Sequence, residues 1–147
     1  MVFKWAKGSM FKVSAQVAGE VCADLEKQGK LTAKNLVDVS RPEDAPLHKV
    51  FNWDDAEAAE LYRQEQGRLL IRCIVTVPEN NVVSTRAYYN IVKQDPNYHS
   101  INVILEDQDK YEALLKKALL ELKAFQKKYA VLESLKPVFD AIDEISA

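Results

Sequence analysis

The sequence is short of the residues on which recognisable chemistry is most often built. Only four glycines occur in 147 residues, which leaves little material for a loop that cradles phosphate through bare backbone. No GxxxxGK[ST], strand-linked GxGxxG, HExxH or GxSxG pattern is present. There are two cysteines, Cys22 and Cys73, far apart and outside any CxxC spacing, so they read as reduced thiols behaving like small hydrophobes. Two histidines, His48 and His99, lie in separate segments whose spacing does not require them to meet. The reading is of a non-enzymatic chain with no metal and no cofactor.

Two further scarcities bear on partners. No apolar run approaches the roughly 18 residues of a membrane span, and the opening MVFKWAKGSMF lacks the apolar core of a secretion signal, so a cytoplasmic protein without a membrane partner is expected. The formal net charge is only -2, so no whole-chain field points to nucleic acid. The balance is uneven, however, running from +2 over residues 1–53 to -4 over the rest.

What is present is the pattern of a folded α+β domain: 48% hydrophobic and 29% charged residues. Phe3, Trp5 and Phe11 alternate with Lys4, Lys7 and Lys12 in an N-terminal segment that either docks its aromatics on the fold or forms a binding arm. Ser14 is placed to cap a helix with Val17, Val21, Cys22 and Leu25 on its inner face, and Gly29 to close it in a left-handed conformation. Thr32 caps a second short helix with Leu36, Val37 and Val39 inward, stopped by Pro42. Helix, tight connection and helix is a helix-turn-helix-like order.

After a crossing loop anchored by Leu47, Val50, Phe51 and Trp53, a helix is expected from Asp54 or Asn52 with Ala58, Leu61, Tyr62, Glu65, Leu69 and Arg72 along one stripe. Glu57, Leu61 and Glu65 on one side, and Glu60, Arg63, Gln64 and Arg68 on others, are read as solvent-facing. Asp54 and Asp55 serve the helix start, since adjacent helical carboxylates do not converge on a metal. LLIRCIVTVP, VVSTRAYYNIV and INVIL are read as three strands of a small antiparallel sheet, with helical extension competing for the first; Tyr88 and Tyr89 point to opposite faces. Asp107 or Glu106 starts a long helix whose stripe is Tyr111, Leu114, Leu115, Ala118, Leu119, Leu122 and Phe125, and a last helix follows near Pro137.

The chain therefore reads as helix-rich α+β: an N-terminal arm and helix-turn-helix-like portion over 1–53, then a central helix, a small sheet and a C-terminal helical pair over 54–147. The segments GKLTAKNLVDVSRPEDAPLHKVFNWDDAEAAELYRQEQGRLLIR and LKKALLELKAFQKKYAVLESLKPVFDAID resemble a family of small uncharacterised proteins encoded by bacteriophages and prophages. Gly67 stands where that pattern has alanine. The resemblance implies a setting, a bacterial cytoplasm during phage gene expression, replication or packaging, and no catalytic residue.

Two functions follow as expectations. The first is a DNA-binding or regulatory protein contacting duplex DNA through Lys30, Lys34, Asn35, Arg41 and Lys49. The second is a protein-interaction or oligomeric assembly module, binding a phage or host protein or another copy of itself, with Phe51, Trp53, Tyr62 and Arg63 as anchor.

Overall fold

The computed structural model describes residues 1–53, 57–77 and 83–147. They form a helix-rich α+β fold with an N-terminal helix pair, small antiparallel sheets and a C-terminal helical pair. The chain divides into two compact units, Met1–Val103 and Ile104–Ala147. Portions 1–53 and 54–147 meet inside the first unit, where strand β1 (Phe3–Trp5) pairs with β2 (Ile74–Thr76).

Local chemistry sets the helix pair. Helix α1 (Ala15–Lys27) starts where Ser14 Oγ accepts the Val17 N–H at 3.1 Å. It ends in a Schellman motif: with Gly29 at φ +67°, Lys30 N–H reaches Leu25 O and Gly29 N–H reaches Glu26 O. Helix α2 (Ala33–Val39) starts at Thr32, whose Oγ1 accepts the Asn35 N–H at 3.0 Å. Leu36 and Val37 are buried and Val39 is exposed. In α1 the inner face is Ala15, Ala18, Gly19, Cys22 and Leu25; Val17 is exposed and Val21 half-buried, so the small residues, not the valines, make the close contacts.

The aromatic N-terminal segment docks. Phe3 enters the core through β1, and its ring stacks near Tyr88 at 6.0 Å between centroids. Trp5 donates Nε1–H to Val13 O at 2.8 Å and packs on Phe11. The register sets Phe3 opposite Thr76 and Trp5 opposite Ile74.

Helix α3 (Glu57–Cys73) departs from the periodicity reading. Its inner face is Arg63, Gly67, Leu70 and Ile71, continuing to Ile74 in β2, while Leu61, Tyr62 and Leu69 are exposed. The expected stripe is thus turned outward. Gly67 presents bare backbone to Ala33 of α2, and the buried Leu70–Ile71 pair belongs to the helix instead of to a strand. Helical extension takes LLIRC, and Ile74–Thr76 form the strand. The expected helix start at Asp54 and Asp55, and the turn over 79–81, lie outside the described residues.

The other two strand readings also change. VVSTRAYYNIV supplies two short strands in different sheets: β3 (Thr85–Arg86) joins the order β1-β2-β3, and β4 (Tyr88–Tyr89) pairs with β5 (His99–Ser100). Tyr88 is buried and Tyr89 half-buried, as alternation requires. INVIL is not a strand but opens helix α4 (Ile101–Glu106). Strand pairing stops at Ser100, whose Oγ accepts the Val103 N–H at 3.4 Å while Ile101 N–H reaches Ala87 O, so local capping and tertiary bonding override β-propensity.

The core of the first unit joins Phe3, Cys22, Leu25, Leu31, Leu36, Leu47, Phe51, Leu70 and Tyr88. Full burial of each large apolar side chain contributes roughly 1.5–3 kcal/mol. In the second unit, Asp107 Oδ1 accepts the Lys110 N–H at 3.1 Å and starts α5 (Gln108–Lys128). Helix α6 (Lys136–Ser146), with Pro137 in its first turn, buries Phe139 and Ile142. Phe125 of α5 meets Phe139 at 6.5 Å, and Gln126 Nε2 donates to Asp143 Oδ1 at 3.1 Å.

Candidate functional site

Two features of the first unit bear on function: the charged and aromatic cluster between α2 and α3, and the outer face of α3.

The cluster is built around Trp53. Its indole Nε1–H donates to His48 O at 2.8 Å, and the His48 ring stacks on it at 4.9 Å and 7°. Arg63 places its guanidinium 5.1 Å from the indole centre and Arg41 at 5.6 Å. Arg63 is buried, donating Nε–H to Asn52 O and pairing through Nη1 with Glu60 at 3.3 Å. Sequence reading placed Arg63 toward solvent; a buried guanidinium with a carboxylate, a carbonyl and an aromatic face has its charge and donors answered inside the fold. Ser40 O lies 2.9 Å from His48 Nδ1, which donates when its ring proton sits there.

Arg41 links this cluster to α2. It bonds Glu60 at 2.7 Å and Asp38 at 3.0 Å, and Lys34 bonds Asp38 at 2.8 Å. Burial pushes the Asp38 carboxyl up, but hydrogen bonds and charge from Lys34 and Arg41 outweigh it and hold the group below its ordinary range. Hydrogen bonds from Arg41 to Glu60 and Asp38 hold its guanidinium above its usual value.

The five residues expected to contact DNA therefore lie on α2 and its flanks in unequal states. Lys34 and Arg41 are matched by Asp38 and Glu60. Asn35 turns its amide onto Lys30 O at 2.9 Å, holding the α1–α2 connection. Lys30 and Lys49 are exposed. Of the four expected interface residues, the structure brings Phe51, Trp53 and Arg63 together with Phe51 and Arg63 buried, and leaves Tyr62 exposed on another face. Glu60 and Asp38, which decide this arrangement, carried no sequence signal beyond i,i+3 and i,i+4 spacing to a cation.

The outer face of α3 carries exposed apolar residues among charged ones, with Glu65 between Leu61 and Leu69. Leu61, Tyr62 and Leu69 stand 66%, 57% and 43% exposed. Tyr62, Leu69 and Cys73 follow one another at steps of seven and four, one stripe of a helix. At its C-terminal end, Leu69 and Cys73 line a cavity of about 410 Å³ with residues 6–11 of the β1–α1 connection. Gly8 turns that connection at φ +88°, and Met10 stands 94% exposed at the cavity. Lys7, Arg68 and Arg72 are exposed around this surface, with Glu65 bound to Arg68.

The two histidines do not share a site. His99 Nε2 lies 3.5 Å from Asp95 Oδ2, and Asp95 is held below the usual carboxylate range first by the Asn97 backbone N–H. Among the described residues no group of three or more His, Cys, Asp or Glu is arranged to hold a metal, and no helix is long and apolar enough to cross a membrane.

No protein-family model, no curated protein and no solved structure matches the chain.

Proposed function

We propose that the first unit is a non-enzymatic protein-interaction module whose contact surface is the outer face of α3. The observation that carries this reading is the outward turn of the apolar stripe Leu61, Tyr62 and Leu69, running into a cavity edged by Met10. Exposed apolar surface of this kind costs solubility unless it is covered by a partner. The matching partner is a protein segment with an apolar anchor for the cavity and acidic flanks for Lys7 and Arg72. A phage or host protein in a bacterial cytoplasm would be the source if the family resemblance carries its setting with it.

The ion pairs of Lys34 and Arg41 favour this reading over duplex DNA as partner, because phosphate contact would have to compete with Asp38 and Glu60. The test uses fluorescein-labelled amphipathic peptides with a Leu or Phe anchor between glutamates, alongside labelled duplex DNA across a salt series. Peptide binding that falls at least about tenfold in Leu69→Asp supports the module. Salt-sensitive DNA binding lost in Lys34→Ala/Arg41→Ala, with no peptide binding, would replace it by the DNA-binding reading.

A further inference from the structure

Helix α5 carries a second unpartnered face, and its own sequence identifies what fits there. Tyr111, Leu115, Ala118, Leu122, Phe125 and Tyr129 follow one another in steps of four, three, four, three and four. This is the alternation that keeps one seam facing a neighbouring helix over about two and a half heptads, about 27 Å of helix. Helix α6 packs on the C-terminal half of α5, where Phe125 meets Phe139, and leaves the seam only partly covered: Tyr111, Leu115, Leu122 and Phe125 are 44%, 45%, 39% and 41% exposed. Beside it on α6, Val138 and Ile145 are also exposed. A 21-residue helix presenting such a seam to water is incomplete as a hairpin of two helices.

Charge names the occupant. From 106 to 112 the chain carries net -3, through Glu106, Asp107, Asp109 and Glu112 against Lys110. From 116 to 128 it carries net +4, through five lysines against Glu121. Helix α6 adds net -2 and Glu133 in the α5–α6 connection another -1, so this end of the hairpin keeps net +1. A second α5 laid antiparallel sets acidic end against basic end twice, once at each end of a two-fold axis. The parallel alternative sets like against like. Antiparallel alignment about position 120 also stacks the seam into matched layers: Tyr111 with Tyr129 of the other copy, Leu115 with its Phe125, and Ala118 with its Leu122.

We infer that the chain self-associates through the second unit as an antiparallel dimer of α5–α6 hairpins, a four-helix arrangement closed by two-fold symmetry. This interface is separate from the α3 face and stands or falls independently of the function proposed for it.

The full chain is examined by sedimentation over a concentration series at low and high salt. The expected result is a species of twice the chain mass, weakened at least about tenfold by Leu115→Glu, with helical circular dichroism unchanged. Orientation is read by disulfide trapping in a Cys73→Ser background. A chain with both Tyr111→Cys and Tyr129→Cys forms a covalent dimer on oxidation and neither single variant does, whereas parallel pairing would trap each single variant. A monomer throughout the series, a dimer indifferent to both Leu115→Glu and Leu122→Glu, or trapping of the single variants would overturn the inference.

Discussion

The ring of Phe3 occupies the space over Gly19 where any other residue would carry its side chain: a Cβ placed there would stand 2.1 Å from the ring. Helix α1 thereby accepts strand β1 on its surface, and Tyr88 O–H seals the same spot by donating to Gly19 O at 3.2 Å. A helix-interior glycine, intrinsically unfavourable by roughly 1 kcal/mol, is tolerated because the close approach needs it.

Gly19→Ala is accordingly expected to destabilise the first unit by about 1–3 kcal/mol, because the overpacked methyl must expel the Phe3 ring. Gly67→Ala is the control. The nearest neighbour of its Cβ is Ala33, with the carbonyl oxygen at an ordinary 3.4 Å, so helix propensity should raise stability by up to about 1 kcal/mol. Urea denaturation of the two variants beside the parent separates these outcomes; equal losses would show that the Phe3 contact is not what constrains residue 19.

Arg63→Ala is expected to cost about 3 kcal/mol or more, since it strips Asn52 O and Glu60 of a buried charged donor and Trp53 of a covering cation. Arg63→Lys should recover only part, because an ammonium cannot reproduce the planar fork. With Trp5 replaced by Phe, Trp53 emission reports the site directly. An unshifted spectrum and unchanged unfolding midpoint in Arg63→Ala would refute the assigned role.

Asp38 sets the direction of an acid-side dependence. Its carboxyl is depressed in the folded chain, so the unfolded state binds protons first as pH falls. Its contribution is complete above the ordinary carboxylate value of about 3.9 and is lost as pH drops through the lower folded value. Asp38→Asn should flatten that part of the stability profile, measured by urea midpoints at successive pH values. The same slope in variant and parent would count against the Lys34–Asp38–Arg41 pairing.

The two thiols should separate cleanly. Burial, with Glu26 nearby, pushes Cys22 up to about 12, whereas Cys73 is half-buried at the wall of the α3 cavity. A thiol-specific reagent at pH 8 is expected to modify Cys73 in the native protein and Cys22 only after unfolding. Because Cys22 is held neutral above its unfolded value of about 8.5, stability from this group is present below that pH and declines as pH rises toward 12. Mass mapping of modified peptides checks the labelling; native modification of Cys22 would contradict its enclosure.

What the sequence determined by itself was mostly local. Ser14, Thr32 and Asp107 each accept an N–H three residues ahead, and Gly29 admits a left-handed φ, so these boundaries depend on groups within one turn of chain. Alternation likewise sent Tyr88 and Tyr89 to opposite faces. Tertiary structure decided the rest. The inner face of α3 follows from Arg63 finding Asn52 O, Glu60 and Trp53, and from Gly67 lying on Ala33, none of which hydrophobic period encodes. INVIL became helical because the pairing of β5 with β4 ends at Ser100, opposite Tyr88, and Ser100 Oγ caps the turn that follows. Caps are short-range bonds readable along the chain, whereas which face is buried and which charge is neutralised depend on residues brought together from distant positions.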